Sequence, residues 1–396
     1  MRLDSIPTFD YQEYRLNVMF DSYKWDLQAN EQSTISDKVL LLEQDEAKFL
    51  EEHAVKLYHE TIAMENELKS NPKLAIKLGI SENMVEALCD CNYAPSSHMR
   101  FMRFDFHPVL LNGKGFPLHA CTDSWKVSEV NSDVPAGYPE ASILPRLAQP
   151  YFEGYSQYGC FGSVFKRKIS KLVPKGKNIA YLHDTHTVED YQILHYLGDL
   201  MESSGYKSMY ASPRHIIWED GEAPDIGGIM RHYPVEWMEC TSDIDWKGFV
   251  NAKTPSCNHP IALLTQSKRL PLVWDELGLN IPTWRSLLPS TKCPTVFDSQ
   301  TGWVLKPAFG RVGEGINIPG TVSKLEDEAI RNAAKNDPSQ WVLQEMFESA
   351  PIDDMHVAVG VFVMDGEYAG MFSRISSAPR IDEDASEIPV LVKSNV

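Results

Sequence analysis

The sequence predicts an α+β fold, and three observations lead there. The first hundred residues carry long runs of helical periodicity. From Met99 the texture changes to two-residue alternation, the spacing of strands that bury one face. Near residue 178 a strand–helix order begins, the mark of a small α/β layer with a parallel sheet, before a last strand-rich stretch.

Each element has a local cause. Residues 43–70 repeat apolar side chains at three and four, which predicts one long helix, and Asn71-Pro72 ends it. Ser81, three residues before Met84, opens a second, short helix. MRFDFHPVLL and residues 124–131 alternate as two strands of a hairpin, with a turn at Asn112-Gly113 inside a long connection. A helix is expected over 140–147. NIAYLHD then reads as a short buried strand, and residues 188–203 as a helix with Ile193, Leu194, Leu197 and Leu200 on one face. Beyond Pro255 come an apolar helical stretch, a strand, a glycine-rich turn at 310–315, a helix near 324–335 and strands at 341–346, 355–364 and 368–375. The expected division is a mainly helical region over 1–98, core strands over 99–173, a small α/β unit over 174–254, and a covering unit with closing strands over 255–396.

Composition narrows the function. A chain of 396 residues, 43% hydrophobic and 23% charged, is built as a packed globular protein. Its formal net charge of −18 argues against a nucleic-acid binder, which needs a basic stripe to displace phosphate counterions. The short run Lys166-Arg167-Lys168 does not change that. Seven scattered cysteines do not form a disulfide framework and read as reduced thiols. No apolar run approaches the roughly 18–20 residues of a membrane helix, and the start lacks a signal-peptide pattern. The expected location is the cytoplasm, and the oligomeric state is left open.

Three groups of residues carry chemistry. In WVLKPAFGRVGEGI, residues 303–316, a strand delivers Lys306 to a loop built on Gly310, Gly313 and Gly315. Glycines let backbone N–H groups approach phosphate oxygens, and a lysine beside them adds a point charge. The loop has neither the ending of a Walker A motif nor the order of a dinucleotide fingerprint. Arg103 and Asp105 lie two apart on one predicted strand, Glu129 and Asn131 on another, so each pair shares a face. Carboxylates and an amide oxygen are hard ligands suited to magnesium, and an arginine beside them suits a transferring phosphoryl group. Lys268, in SKRLPLVW, is a third candidate for a phosphate contact. Taken singly, these read equally as a turn, polar surface strands and a solvated lysine.

Together, and in this order, they resemble glutathionylspermidine synthetases. RFD over 103–105 and EVNSDVPAGYPE over 129–140 are similar to that family's arginine–aspartate and acidic–asparagine strands. SKRLPLVW resembles its lysine–tryptophan helix, KPAFGRVGEG its lysine–proline glycine loop, and VAVGVFVMDGEYAGMFSR its closing hairpin. The resemblance covers residue 100 to the C-terminus and implies a permuted, glutathione-synthetase-like ATP-grasp fold. It implies magnesium on Asp105, Glu129 and Asn131, and a phosphoryl-stabilising Arg103. ATP would lie on Lys268, Lys306 and the glycines, with adenine near Gln344 and Glu345. Glu140, Glu189 and Arg374 would face substrate.

The resemblance also marks differences. Val134 and Ala136 stand where the family's glutathione-holding serines are, and its polyamine-facing acidic pair is reduced to Glu189, with Val188 beside it. A bifunctional member's N-terminal amidase domain is not expected within these 396 residues. His183-Asp-Thr-His186 lacks a third ligand for zinc. The implied activity is amide formation between a small-molecule or peptide carboxylate and an amine, driven by ATP and magnesium. A nucleotide-binding regulatory or scaffold protein of the same fold is the alternative.

Overall fold

A five-stranded antiparallel sheet lies at the centre, in the order Ser386–Ile388, Glu367–Ser376, His356–Met364, Phe101–Pro108, Trp125–Asn131. The computed structural model describes residues 1–25, 28–29, 32–110, 122–294, 302–311 and 313–394. The expected Asn112-Gly113 turn and Cys121 lie outside the described residues.

The two faces of this sheet are covered differently. The helix Gln44–Lys69 lies on one face, where Leu50, Ala54 and Leu57 share a core with Phe104, Val359, Val361 and Val363. Its start is fixed by a capping box between Glu43 and Glu46, which satisfies donors that a helix end leaves free. The helix Phe161–Leu172 covers only one end of the other face, packing Phe161 and Phe165 with Phe101, Tyr138 and Phe362. The rest of that face carries Arg103, Asp105, Glu129 and Asn131.

Among the described residues, three further sheets of three or four strands surround this centre, beside a two-stranded pair of Gln28–Ala29 and Gln32–Ser33. The α/β layer is all parallel, in the order Ser256–Cys257, Ile226–His232, Asn178–His183, Lys207–Ala211, as the sequence predicts. The helix Val188–Glu202 connects two of its strands. A small antiparallel sheet of Thr291–Lys292, Trp341–Glu345 and Trp303–Pro307 carries the glycine-rich turn and packs against the helix Lys324–Asn336. A four-stranded sheet joins Arg2–Ser5 and Lys38–Leu42 to Val390–Lys393 and Tyr155–Ser156, so strands near both chain ends meet in one layer.

Several elements differ from expectation, and proline accounts for two of them. The helix expected over 140–147 is only Leu144–Ala148, because Pro145 has no N–H and is tolerated only in a first turn. The stretch around Lys268 is not one helix: Leu263–Gln266 and the turn Leu270–Val273 are separate, with Lys268 between them and Pro271 in the second. The strands Arg2–Ser5 and Lys38–Leu42 were not anticipated. Lys38–Leu42 pairs with Arg2–Ser5 on one side and, on the other, with Val390–Lys393 from the far end of the chain, beyond any local pattern.

Candidate active site

Antiparallel pairing sets Arg103 opposite Asn131 and Asp105 opposite Glu129, so all four side chains share one face. A bulge follows immediately after this regular stretch. Asp105 pairs with Glu129 but Phe106 pairs with Val127, leaving Ser128 as the extra residue. Arg103 then closes a two-point contact on Asp105, with Nε donating to Oδ1 at 2.7 Å and Nη2 to Oδ2 at 2.9 Å. Its Nη1 donates to the Ala136 carbonyl at 2.7 Å, and its guanidinium lies over the Phe372 ring. Asn131 Nδ2 reaches Asp105 Oδ2 at 3.2 Å and Glu129 Oε1 at 3.4 Å.

Two lysines reach this acidic face from separate elements. Lys268 Nζ lies 2.9 Å from Glu129 Oε2 and donates to the Gly310 carbonyl at 2.8 Å. Lys306, from the strand Trp303–Pro307, donates to Gln344 Oε1 at 2.7 Å and to the Ser128 carbonyl at 3.4 Å. Arg374, from the closing hairpin, comes within 3.5 Å of Asp105 Oδ2. The structure thus gathers Arg103, Asp105, Glu129, Asn131, Lys268, Lys306 and Arg374 into one cluster.

Burial and charge shape the protonation of this cluster. Burial lowers Lys306 to about 8, with the Glu129 carboxylate opposing and Lys268 adding to the shift. Burial would raise Glu129, but the ammonium groups of Lys268 and Lys306 outweigh it and hold the carboxyl well below its usual range. Burial also lowers Arg374, with Asp105 opposing. His107, next on this face of the strand, is held down to about 4 by burial and contacts Ser128 Oγ at 3.0 Å.

A small pocket opens beside the cluster. Gln344, Glu129 and Lys268 line one side, and Leu270, Trp274 and Trp284 give it an apolar wall. Such a wall with a few convergent polar groups suits a planar ring. Glu345 is exposed and does not line it; its backbone N–H donates to the Ser290 carbonyl. In the glycine loop, Gly313 and Gly315 adopt φ of +73° and +66°, which side-chain-bearing residues rarely take.

Two expected substrate residues lie elsewhere. Glu140 is buried against Lys24 at 3.2 Å, and burial together with nearby Glu387 raises its pKa. Glu189 is exposed in the first turn of Val188–Glu202, while its neighbour Asp190 lies 3.5 Å from His232. Among the described residues, no group of three or more His, Cys, Asp and Glu side chains is arranged to hold a metal ion. Asp105, Glu129 and Asn131 differ in kind, as two carboxylates and an amide. Ser128, His107 and Trp284 were not singled out from the sequence, and Trp274 only as the end of the SKRLPLVW motif; His107 carried a local signal, two residues beyond Asp105.

A family model described as glutathionylspermidine synthase preATP-grasp matches residues 12–393. No curated protein sequence matches the chain. Among solved structures, a glutathione synthetase-like effector from Globodera pallida in its apo form is 10% identical, covers 86% of each chain and superposes with a TM-score of 0.57. A putative gamma-glutamylcysteine synthetase from Methylobacillus flagellatus is 10% identical over 84% of this chain and 86% of its own, with a TM-score of 0.45. The first likeness is one of fold: mixed α/β sheets in the glutathione-synthetase, ATP-grasp manner. The family model reaches from the N-terminal helices to the last strand and takes in every residue of the cluster, and the chain belongs to the glutathionylspermidine synthase preATP-grasp family.

Proposed function

We propose that the protein is an ATP- and magnesium-dependent carboxylate–amine ligase, forming an amide through an acyl phosphate with release of ADP and phosphate. The observation that carries this reading is the convergence of Asp105, Glu129 and Asn131 with Lys268, Lys306, Arg103 and Arg374 beside an apolar-walled pocket. Bound nucleotide would supply the phosphoryl group that activates a carboxylate, and magnesium, held by Asp105, Glu129 and Asn131, would offset the charge of its phosphates.

The residues fit both groups. Asp105 and Glu129 offer carboxylate oxygens and Asn131 an amide oxygen, and the Asn131 amide meets both carboxylates through Nδ2; such oxygens are the donor set magnesium takes alongside phosphate oxygens. Lys306 and Lys268 hold cationic groups where phosphate oxygens would lie, and the glycine loop brings backbone N–H groups close. Arg103, fixed by its two-point grip on Asp105, offsets charge that builds on a transferring phosphoryl group. Trp274, Trp284 and Leu270 exclude water from one wall of the nucleotide pocket.

Val134 and Ala136 in place of hydrogen-bonding serines argue for a carboxylate other than glutathione. A site built on hydroxyl contacts loses its ligand when those contacts go. Release of ADP over a panel of short peptides and other carboxylates, each with diamines and amino acids, tests the assignment. No ADP with any pair would remove it.

A second reading is a nucleotide-binding regulatory or scaffold protein without turnover. It has in its favour that the triad's carboxylates are already paired with Arg103 and Lys268. That protein would bind ATP and release no ADP.

A further inference from the structure

The glycine loop is held by a residue that the phosphate-binding account does not use. Arg311 Nη2 donates to Glu236 Oε1 at 2.7 Å, and its guanidinium lies over the Trp237 ring, 5.0 Å from the centroid. Glu236 and Trp237 belong to the helix Val235–Glu239 of the α/β unit, far from the loop in sequence. Both partners are about three-quarters buried, with side-chain exposures of 25% and 21%, so water screens the pair only in part.

That helix is tied in turn to the strand bearing Glu129 and Asn131. Asp133, two residues beyond Asn131, accepts the Val235 N–H on Oδ2 at 3.1 Å. Its Oδ1 meets Arg231 in an ion pair whose side chains are 1% and 0% exposed. Asn258 Nδ2 closes the same corner, donating to the carbonyls of Ser132 at 3.0 Å and Asp133 at 3.1 Å. The chain Asn131, Asp133, Val235, Glu236, Arg311 therefore runs unbroken from the candidate metal ligands to the glycine loop. From the other side, Lys268 grips both Gly310 and Glu129.

We infer that Arg311 is a positioning residue for the proposed ligase reaction, fixing the glycine loop through Glu236 and Trp237 in register with the strand that carries Glu129 and Asn131. This rests on the reading of that loop as the cover over the nucleotide phosphates. The contact is a single point: Glu236 Oε2 is buried without a hydrogen-bond partner. A one-point pair on a turn rich in glycine can close over nucleotide and open again for product, which a two-point clamp would hinder.

The test compares wild type with Glu236→Gln, Arg311→Gln, Arg311→Lys, and the swapped pair Glu236→Arg with Arg311→Glu. Hydrogen exchange over residues 310–316 is read in the free protein, and KM for ATP and kcat in turnover. Either glutamine variant is expected to speed exchange in the loop and raise KM for ATP roughly threefold to tenfold, with a smaller change in kcat. Arg311→Lys and the swapped pair recover part of both. Exchange over 310–316 that is unchanged in Glu236→Gln overturns the inference whatever the kinetics show. Faster exchange with no change in KM or kcat overturns the positioning role and reduces the pair to a structural tie. A wild type that neither binds ATP nor releases ADP brings down the ligase reading instead, and the exchange data still decide whether Arg311 anchors the loop.

Discussion

Gly360 sits directly opposite Asp105 on the neighbouring strand, where a Cβ would lie 2.9 Å from Arg103 Cδ. The same Cβ would also lie 2.9 Å from the Phe372 ring. The missing side chain is what lets the Arg103 guanidinium lie flat between Asp105 and Phe372. Gly360→Ala is therefore expected to push Arg103 off Asp105, at a stability cost of about 1–3 kcal/mol from overpacking. ADP release should fall by more than that loss of stability explains. Full activity in a folded Gly360→Ala protein would show that the Arg103–Asp105 geometry is not needed.

Lys306 gives a test of the nucleotide contact. Removing a charge-assisted contact costs about 1.5–3 kcal/mol, so Lys306→Ala should weaken ATP binding by roughly ten- to a hundredfold. Calorimetry reads this directly. An unchanged affinity would make the stretch 303–316 only a strand and a turn.

The same lysine predicts a pH signature. Burial lowers it from 10.5 to about 8, so the unfolded chain binds more protons between those values. Stability carried by this group is lowest below pH 8 and is recovered as pH rises toward 10.5. A phosphate beside Lys306 reverses the shift, so ATP binding at pH 8.5 should take up protons at this group, and at pH 6.5 none. Calorimetry in two buffers of different ionisation enthalpy separates the cases. Equal heats at pH 8.5 would contradict the placement.

The Asp133–Arg231 pair predicts a stability effect apart from chemistry. Both side chains are shut from water, and removing one partner strands the other, a loss of about 3–5 kcal/mol. Arg231→Met should lower the melting temperature markedly. A thermal scan showing no change would mean that the pair is dispensable.

Much of this arrangement was legible in the residues, and the remainder was not for identifiable reasons. The spacing of Arg103 with Asp105 and of Glu129 with Asn131 is a local property of strands, and it placed four side chains on shared faces. The helix Gln44–Lys69 was legible from its three-and-four periodicity and its proline stop. The bulge at Ser128, the approach of Arg374 to Asp105 and the Arg311–Glu236 pair each depend on partners distant in sequence, which no window reveals. Trp274 and Trp284 read as plain core residues, because an apolar pocket wall and an apolar core have the same composition. Glu140 shows the reverse case: its motif promised a substrate contact, and the fold set it against Lys24.

The substrate departure makes its own prediction. With Val134 and Ala136 beside the Arg103 strand, glutathione plus spermidine should give little or no ADP where another carboxylate–amine pair gives much. Efficient turnover of that pair would refute the inference from the two apolar residues and leave the ligase assignment standing.

The central claim, that Asp105, Glu129 and Asn131 form the magnesium-dependent heart of a ligase, is tested most directly by ADP release against magnesium concentration, in wild type and Glu129→Ala. The account predicts magnesium-dependent release from wild type and none from the variant, with the variant's circular dichroism unchanged. Equal release from both proteins would contradict it.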